Sequence, residues 1–300
     1  MRISDLMLTN NYTENINNVK SKINRLSEQI STGNKINRPS DSPTGISKLL
    51  ELNKQFSQNN IYSESVSYGK DFMEETVGVL ENINDEVTNV LSKLTEVNDP
   101  TKSTTLNAYA NEIDSALNSI LSLANTEYNG KYLFGGTDFS DKPFGYNAGN
   151  TGIIVKTSGT SGKQVINISY QHEEQINLPG SDVFGNVDPS IGNDVFNVLI
   201  SIRNKLQSGN LPDQSDIDKL KNIQSNFLDQ ITKAGVIINN LDNTSEMLSN
   251  QNVKLQELIS NVNDVDVAKA IMEMQNQDYV LQISYKMSAM ILPKSLIDFL

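Results

Sequence analysis

Ile217, Leu220, Gln224, Phe227, Ile231, Ala234, Ile238, Leu241, Ser245, Leu248, Asn252, Leu255, Ile259 and Val262 follow one another at strictly alternating steps of 3 and 4 residues. A repeat averaging 3.5 residues lays all of them on one narrow stripe of an α-helix, the seam of a coiled coil rather than the broad apolar face of a globular helix. The spacing predicts one helix about 70 Å long, at ~1.5 Å rise per residue. Ile231, Ile238, Leu241, Leu248, Leu255 and Ile259 are the expected bundle seam. The polar Gln224, Ser245 and Asn252 are expected to fix register at some cost in stability.

The same pattern recurs on both sides of this stretch. Tyr12, Ile16, Val19, Ile23, Leu26 and Ile30 step 4, 3, 4, 3, 4 near the start. The run Ser31-Thr32-Gly33-Asn34-Lys35-Ile36-Asn37-Arg38-Pro39-Ser40-Asp41-Ser42-Pro43 then breaks the helix, with Gly33 as a stop and Ser42-Pro43 as an N-cap followed by proline at the first helical position. A long helix is expected from about Thr44 to Val97. Its second half is clear in Met73, Val77, Leu80, Ile83, Val87, Val90, Leu94 and Val97. A third, near 103–129, carries Leu106, Ala110, Ile113, Leu117, Ile120 and Ala124 and should fold back antiparallel. Val195, Leu199, Ile202 and Leu206 mark another. After a new start at Asn263-Asp264, Val267, Ile271, Met274, Leu281 and Tyr285 form a terminal stripe. The apolar Leu296, Ile297, Phe299 and Leu300 of the last residues call for burial.

Between the helices the texture changes. Residues 131–192 are Gly-rich and hold all the clear β signals. Ile153–Thr157 and Lys163–Tyr170 flank Ser158-Gly159-Thr160-Ser161-Gly162, which predicts a hairpin with a five-residue loop. The expected class is therefore mainly α with a small β region: a long antiparallel coiled-coil bundle built from both chain ends, with a β-hairpin domain in the middle. Its segments are 1–43, an N-terminal assembly helix and linker; 44–130, the first part of the bundle; 131–192, the β region; 193–262, the last part of the bundle; and 263–300, a C-terminal assembly helix.

Composition narrows the chemistry. The 300 residues include no Cys, no Trp, one His and 39 Asn, and the formal net charge is −12. Thiolate nucleophiles, disulfides and Cys-based zinc sites are excluded, and a Ser-His-Asp triad would have to be built on His172. The net charge opposes non-specific binding to nucleic acid or anionic membranes. Nothing in the sequence approaches the ~18 apolar residues of a membrane span, and the first ten residues lack the apolar core of a cleaved signal peptide.

The remaining site candidates are weak. His172 beside Glu173-Glu174 reads as a surface residue at a strand end. The 158–162 loop with Lys163 fails the spacing of a phosphate-binding loop, because Thr157 and Gln164 stand where Gly and Ser/Thr belong. Asp182, Asp188 and Asp194 match no EF-hand spacing and read as a solvated loop. The terminal seams are different. A narrow stripe buries its apolar area only against another helix, so the first and last helices either pack as a pair or receive another copy of the chain.

The order of helix, Ser31-to-Pro43 break, long helix, Gly-rich β region, long helix and terminal helix resembles the bacterial flagellin superfamily. Met1-Arg2-Ile3-Ser4, Asn129-Gly130-Lys131-Tyr132-Leu133-Phe134-Gly135-Gly136 and Ser295-Leu296-Ile297-Asp298-Phe299-Leu300 narrow the resemblance to members at the junction between hook and filament. The resemblance implies a structural, non-enzymatic protein without cofactor or small-molecule substrate. It would form a ring with copies of itself and meet hook-associated protein 1 on one side and flagellin on the other. It would leave the cell unfolded, without a cleaved signal, helped by a flagellar export chaperone. The assembly interface would be Tyr12, Ile16, Val19, Ile23, Leu26, Ile30, Val267, Ile271, Met274, Leu281, Tyr285, Leu296, Phe299 and Leu300. The alternatives are a short flagellin, and a carboxylate enzyme or lectin-like binder within 140–192.

Overall fold

Seven helices and six short strands follow one another in the computed structural model, which describes residues 2–97, 106–138, 141–155 and 159–291. They are α1 (Arg2–Thr32), α2 (Pro43–Val97), α3 (Leu106–Ala124), β1 (Glu127–Tyr128), β2 (Lys131–Tyr132), β3 (Phe144–Tyr146), β4 (Ile153–Val155), β5 (Val165–Ser169), β6 (His172–Gln175), α4 (Gly180–Phe184), α5 (Val195–Gln207), α6 (Gln214–Asn263) and α7 (Val267–Ile291). The chain is mainly α with small antiparallel hairpins in the middle. It divides into two units, Asn59–Asn250 and Met1–Gln58 with Gln251–Leu300, whose edges fall inside α2 and α6. Leu296, Phe299 and Leu300 lie outside the described residues.

In the 59–250 unit the long helices are antiparallel. Lys70 Nζ lies 2.6 Å from Asp242 Oδ1, and Gln224 Nε2 donates to Thr88 Oγ1 at 2.7 Å. Both pairs obey the same register, eighteen residues up α2 matching eighteen down α6. Gln224 is thus a polar seam residue tied to one partner on the facing helix, as a register-setting residue must be. The seam splits by depth: Leu220, Phe227, Ala234, Leu241 and Leu248, seven residues apart, are almost fully buried. Ile217, Ile231 and Ile238 on the alternate steps are half-buried, as are Leu255 and Ile259 farther along.

Helix α3 folds back on α2, fixed by Lys93 to Glu112 at 3.6 Å and by Ser119 Oγ donating to Glu86 Oε1 at 3.3 Å. Its apolar spine is buried throughout, and α5 packs against it with Val195, Leu199, Ile202 and Leu206 inaccessible. Arg203 crosses from α5 to Asp114 of α3 at 2.6 Å. Five phenylalanines from separate elements close the core. Phe184 of α4 sits 4.9–5.9 Å, ring to ring, from Phe144, Phe134, Phe196 and Phe227.

Two local expectations change. Helix α3 ends at Ala124 rather than near 129, because Asn129 (φ 50°) and Gly130 (φ 75°) make the two-residue turn of a tight hairpin, β1 with β2. Asn-Gly is the strongest short hairpin signal, since both residues accept positive φ at low cost. The 153–157 and 163–170 runs do not pair with each other. Instead β4 pairs with β3, and β5 with β6. Local turn chemistry decides this. Asn147 Oδ1 accepts from the backbone of Thr151 and Gly152, with Asn150 at φ 52°, which closes the first hairpin. Tyr170-Gln171, with Gln171 at φ 60°, closes the second. The intervening Gly159–Gly162 loop packs on Gly136 (φ 67°), where an added Cβ would stand 1.9 Å from Gly159 O.

Candidate assembly surface

Helix α1 stops because Gly33 takes φ 73°, a left-handed conformation costly for any residue with a Cβ. The next residues do not drift. Asn34 forms an antiparallel bridge with Asp264, Val265 N donates to Gly33 O at 3.0 Å and Lys35 N donates to Asn263 O at 2.5 Å. Asn263 makes two further bonds through its side chain. Its Oδ1 accepts from Ile36 N at 3.4 Å and its Nδ2 donates to Asn34 Oδ1 at 2.8 Å. Asp41 Oδ2 accepts from the amides of Asn37 and Arg38, and Gln29 Nε2 donates to Lys35 O. Ile36 is buried beside Gly45, where a Cβ would meet its Cδ1 at 2.6 Å. Ser42 Oγ then accepts from Gly45 N at 3.1 Å and caps α2, while Asp266 caps α7 by accepting from Lys269 N at 3.0 Å.

Clamped at this point, α1 and α7 run antiparallel. Farther from the clamp, the Lys20 ammonium lies 5.8 Å from the centre of the Tyr285 ring. On α1, Leu26 is buried and Tyr12, Ile16, Val19, Ile23 and Ile30 are half-buried. The sheltered side of α7 is Ala270, Met274, Gln277, Leu281, Ser284 and Ser288, a 4-3-4-3-4 sequence in which only three residues are apolar. Its solvent side carries Val267, Ile271, Met272, Tyr279, Val280, Ile283, Tyr285 and Met287. Met272 and Tyr279 are 64% and 63% exposed. Of the terminal stripe read from sequence, Met274 and Leu281 lie on the sheltered side, while Val267, Ile271 and Tyr285 are more exposed, Tyr285 still meeting Lys20 of α1. Exposed polar residues, among them Gln275, Asp278, Gln282 and Lys286, stand between these apolar ones, so apolar side chains are spread around the helix rather than confined to the side that faces α1.

The other candidates resolve into structural work. Asp194 is only 2% exposed, not solvated as its loop setting suggested. It caps α5 through Asn197 N at 3.0 Å and holds Asn197 Nδ2 at 2.8 Å, while the Asn197 amide brackets both backbone groups of Ile153 at 3.1 Å. Burial pushes its carboxyl above the usual carboxylate range, against the pull of the Asn197 bonds. Asp188 instead accepts from Ser190 Oγ and N, which hold its pKa below the ordinary value, and Asp182 is an exposed residue of α4. The three acids therefore serve different elements. His172 is exposed opposite Ser169 on β6. In the 159–162 loop, Gly159 O accepts from Thr137 N and Gly162 O from Asn177 Nδ2, so its backbone is spent on packing. Among the described residues no group of three or more His, Cys, Asp or Glu could hold a metal ion, and no helix is long and apolar enough to cross a membrane.

Both ends of the chain match known sequence. Residues 3–138 match the bacterial flagellin N-terminal helical region and residues 217–300 the C-terminal helical region. The chain belongs to the bacterial flagellin superfamily. The two matches take in all but the first residue of α1 and the whole of α7, and leave residues 139–216 between them unmatched. Among relatives of this superfamily member, flagellar hook-associated protein 3 of Salmonella typhimurium is 25% identical, with 95% of each chain covered. A flagellin of Bacillus subtilis is also 25% identical, with 96% of this chain and 95% of the relative covered. The solved structure of Bacillus cereus FlgL shares the fold with a TM-score of 0.58 at 20% identity, over 70% of this chain and 99% of that one. As a superfamily member the protein is a structural component of the flagellum.

Proposed function

We propose that this flagellin-superfamily chain forms the ring that joins the flagellar hook to its filament, and that copies assemble through their terminal helices. The observation that carries the reading is the open apolar side of α7, next to a sheltered side that α1 already occupies. One side of the terminal pair is used within the chain, and the other is available to a neighbour. End-to-end coverage of a hook-associated protein 3 supports an axial position in the flagellum, and a flagellin is covered equally. In this reading 1–43 and 263–300 are the assembly segments, 44–130 and 193–262 the bundle that carries them, and 131–192 a Gly-rich outer region. The interface takes Val267, Ile271 and Tyr285 from α7, with Leu296, Phe299 and Leu300 of the chain end; Tyr12, Ile16, Val19, Ile23, Leu26, Ile30, Met274 and Leu281 hold the pair together behind it.

The ring's partners are itself, hook-associated protein 1 on the hook side and flagellin on the filament side. A cytoplasmic export chaperone receives the chain before it is secreted, unfolded and without a cleaved signal. The protein carries out no catalysis and takes no cofactor, nucleic acid, membrane or small-molecule substrate. The equal identity to a Bacillus subtilis flagellin favours one second reading, a filament subunit of short type. Deleting the gene and imaging the cells separates the two. Hooks without attached filaments, together with gold-labelled copies confined to the hook–filament boundary in the complemented strain, support the junction; label along the whole filament supports flagellin and overturns the ring.

A further inference from the structure

Glycine follows asparagine at one place in the sequence, Asn129-Gly130. The fold sets this pair at the tip of the β1–β2 hairpin, exposed, with φ 50° and 75°. Farther down the hairpin Leu133 N donates to Thr126 O at 3.0 Å, whereas among the described residues no hydrogen bond engages the Gly130 amide or the Asn129 side chain. Other asparagines are held. Asn118 precedes a serine but lies within α3, its Nδ2 donating to Asp114 O at 2.9 Å, and in a helix the following amide is itself a donor to the turn before it. Asn177 and Asn197 are almost fully buried, and Asn147 Oδ1 accepts from Thr151 and Gly152. An asparagine side chain reaches the next backbone nitrogen in a five-membered ring, so bond rotation alone brings Gly130 N onto Asn129 Cγ. Glycine has no Cβ to crowd that approach and is the residue freest to rotate.

We propose that Asn129 is a site of spontaneous covalent modification, converted by water through a succinimide with Gly130 into aspartate and isoaspartate, ahead of the other asparagines. Gly130 N bonds to Asn129 Cγ, the Cγ–Nδ2 bond breaks, and the Gly130 amide proton departs with Nδ2 as ammonia. Water then opens the imide. Cleavage of the new Cγ–N bond leaves aspartate on the original main chain. Cleavage of the bond from the Asn129 carbonyl carbon to Gly130 N leaves isoaspartate, whose main chain runs through Cβ and Cγ. Aspartate tolerates a left-handed φ much as asparagine does, so the first product keeps the turn. Isoaspartate lengthens by one carbon the loop between the paired Tyr128 and Lys131, and a two-residue turn has no slack for it. That pair ties the hairpin to α2: Tyr128 meets Phe72 edge-on at 6.0 Å, and the Lys131 ammonium lies 5.3 Å from the centre of the Tyr68 ring.

The full chain is kept in neutral buffer for weeks, sampled, digested under mildly acidic conditions that stop the reaction, and mapped by mass spectrometry. Electron-transfer fragmentation separates aspartate from isoaspartate. Asn129 should convert at least about ten-fold faster than any other asparagine, a barrier difference of roughly 1.4 kcal/mol, and isoaspartate should be among its products. Asn129→Gln, which would need a six-membered ring, should show no conversion at this position over the same period. Asn129→Asp, which carries the product that keeps the turn, should melt with the fresh parent, while the aged parent melts earlier in proportion to its isoaspartate. Another asparagine that converts as fast, or a product that is aspartate alone, overturns the proposal. An aged, isoaspartate-bearing chain that melts with Asn129→Asp overturns the effect on the hairpin.

Discussion

Replacing Met272 and Tyr279 with glutamine asks whether the open side of α7 is a working surface. Glutamine is about as good a helix former as methionine and better than tyrosine, so the helix itself should survive. Tyr279 is 63% exposed and Met272 64%; with roughly 200 Å² of side-chain area, each offers on the order of 125 Å² to a neighbour. At about 25 cal/mol per Å² that is about 3 kcal/mol each, and immobilising the side chain takes back about 1. Losing both should therefore weaken one helix–helix contact between copies by about 4 kcal/mol, a factor of roughly 1,000. Within a single chain these side chains are mostly in water, so the melting curve should move by no more than about 0.5 kcal/mol. Sedimentation velocity of the full chain across a concentration series reads the first quantity and circular dichroism the second. A shift in the assembly midpoint of less than about ten-fold, or a terminal unit that melts much earlier than the parent's, would refute the reasoning: the first shows that the open side is idle, the second that it is internal.

Phe184→Ala should lower the stability of the 59–250 unit by about 3–5 kcal/mol, because its ring meets four other phenylalanines and nothing in the sequence can refill the space; chemical denaturation measures it. Gly136→Ala should be comparably damaging despite adding one carbon, since that carbon falls 1.9 Å from Gly159 O at a positive φ, and hydrogen exchange should rise first in 159–162. On the heptad seam, Leu241→Ala should cost about 2–5 kcal/mol and Ile238→Ala, half-buried one step away, markedly less in the same assay. Asp194 sets a pH dependence. Its folded pKa lies above 3.8 because burial disfavours the charge, so its contribution to stability declines as pH rises from 3.8 through the folded value. An Asp194→Asn chain should accordingly gain on the parent as pH rises through that window, and a gap that widens instead would contradict the sign.

How much of this was legible depended on how local the deciding force is. The helices of 43–97 and 214–263 could be read directly, because a 3-4 repeat has one geometric meaning and Gly33, Ser42 and Pro43 punctuate it by backbone chemistry. The hairpins were harder. The apolar runs at 153–157 and 163–170 look like partners, yet Asn147 and Tyr170-Gln171 turn each run toward a different neighbour, and Asn129-Gly130 signalled a turn that the helical pattern before it masked. Asp194 looked solvated because its neighbours Gly192 and Asn193 are loop residues; only the tertiary position of Ile153 reveals why its carboxylate is buried. The five-phenylalanine core has no sequence period and was invisible. For the assembly surface, the stripe on α1 was readable because it is narrow. On α7 apolar residues face every direction, so Met274 and Leu281 could not be told from Val267, Ile271 and Tyr285 by spacing alone.

The bridge between Asn34 and Asp264 also has a consequence in time. The Asn263–Asn34 bond beside it spans 229 residues of chain, so the linker after the first helix cannot close until the end of α6 has been made. Closing so long a loop from an open chain is entropically unfavourable and slow, whereas prior folding of the antiparallel α2 and α6 shortens the search to a few linker residues. The terminal unit is therefore the last part of the molecule to mature. A chain cut anywhere before Asn263 loses the bonds that tie the 33–36 linker to the start of α7.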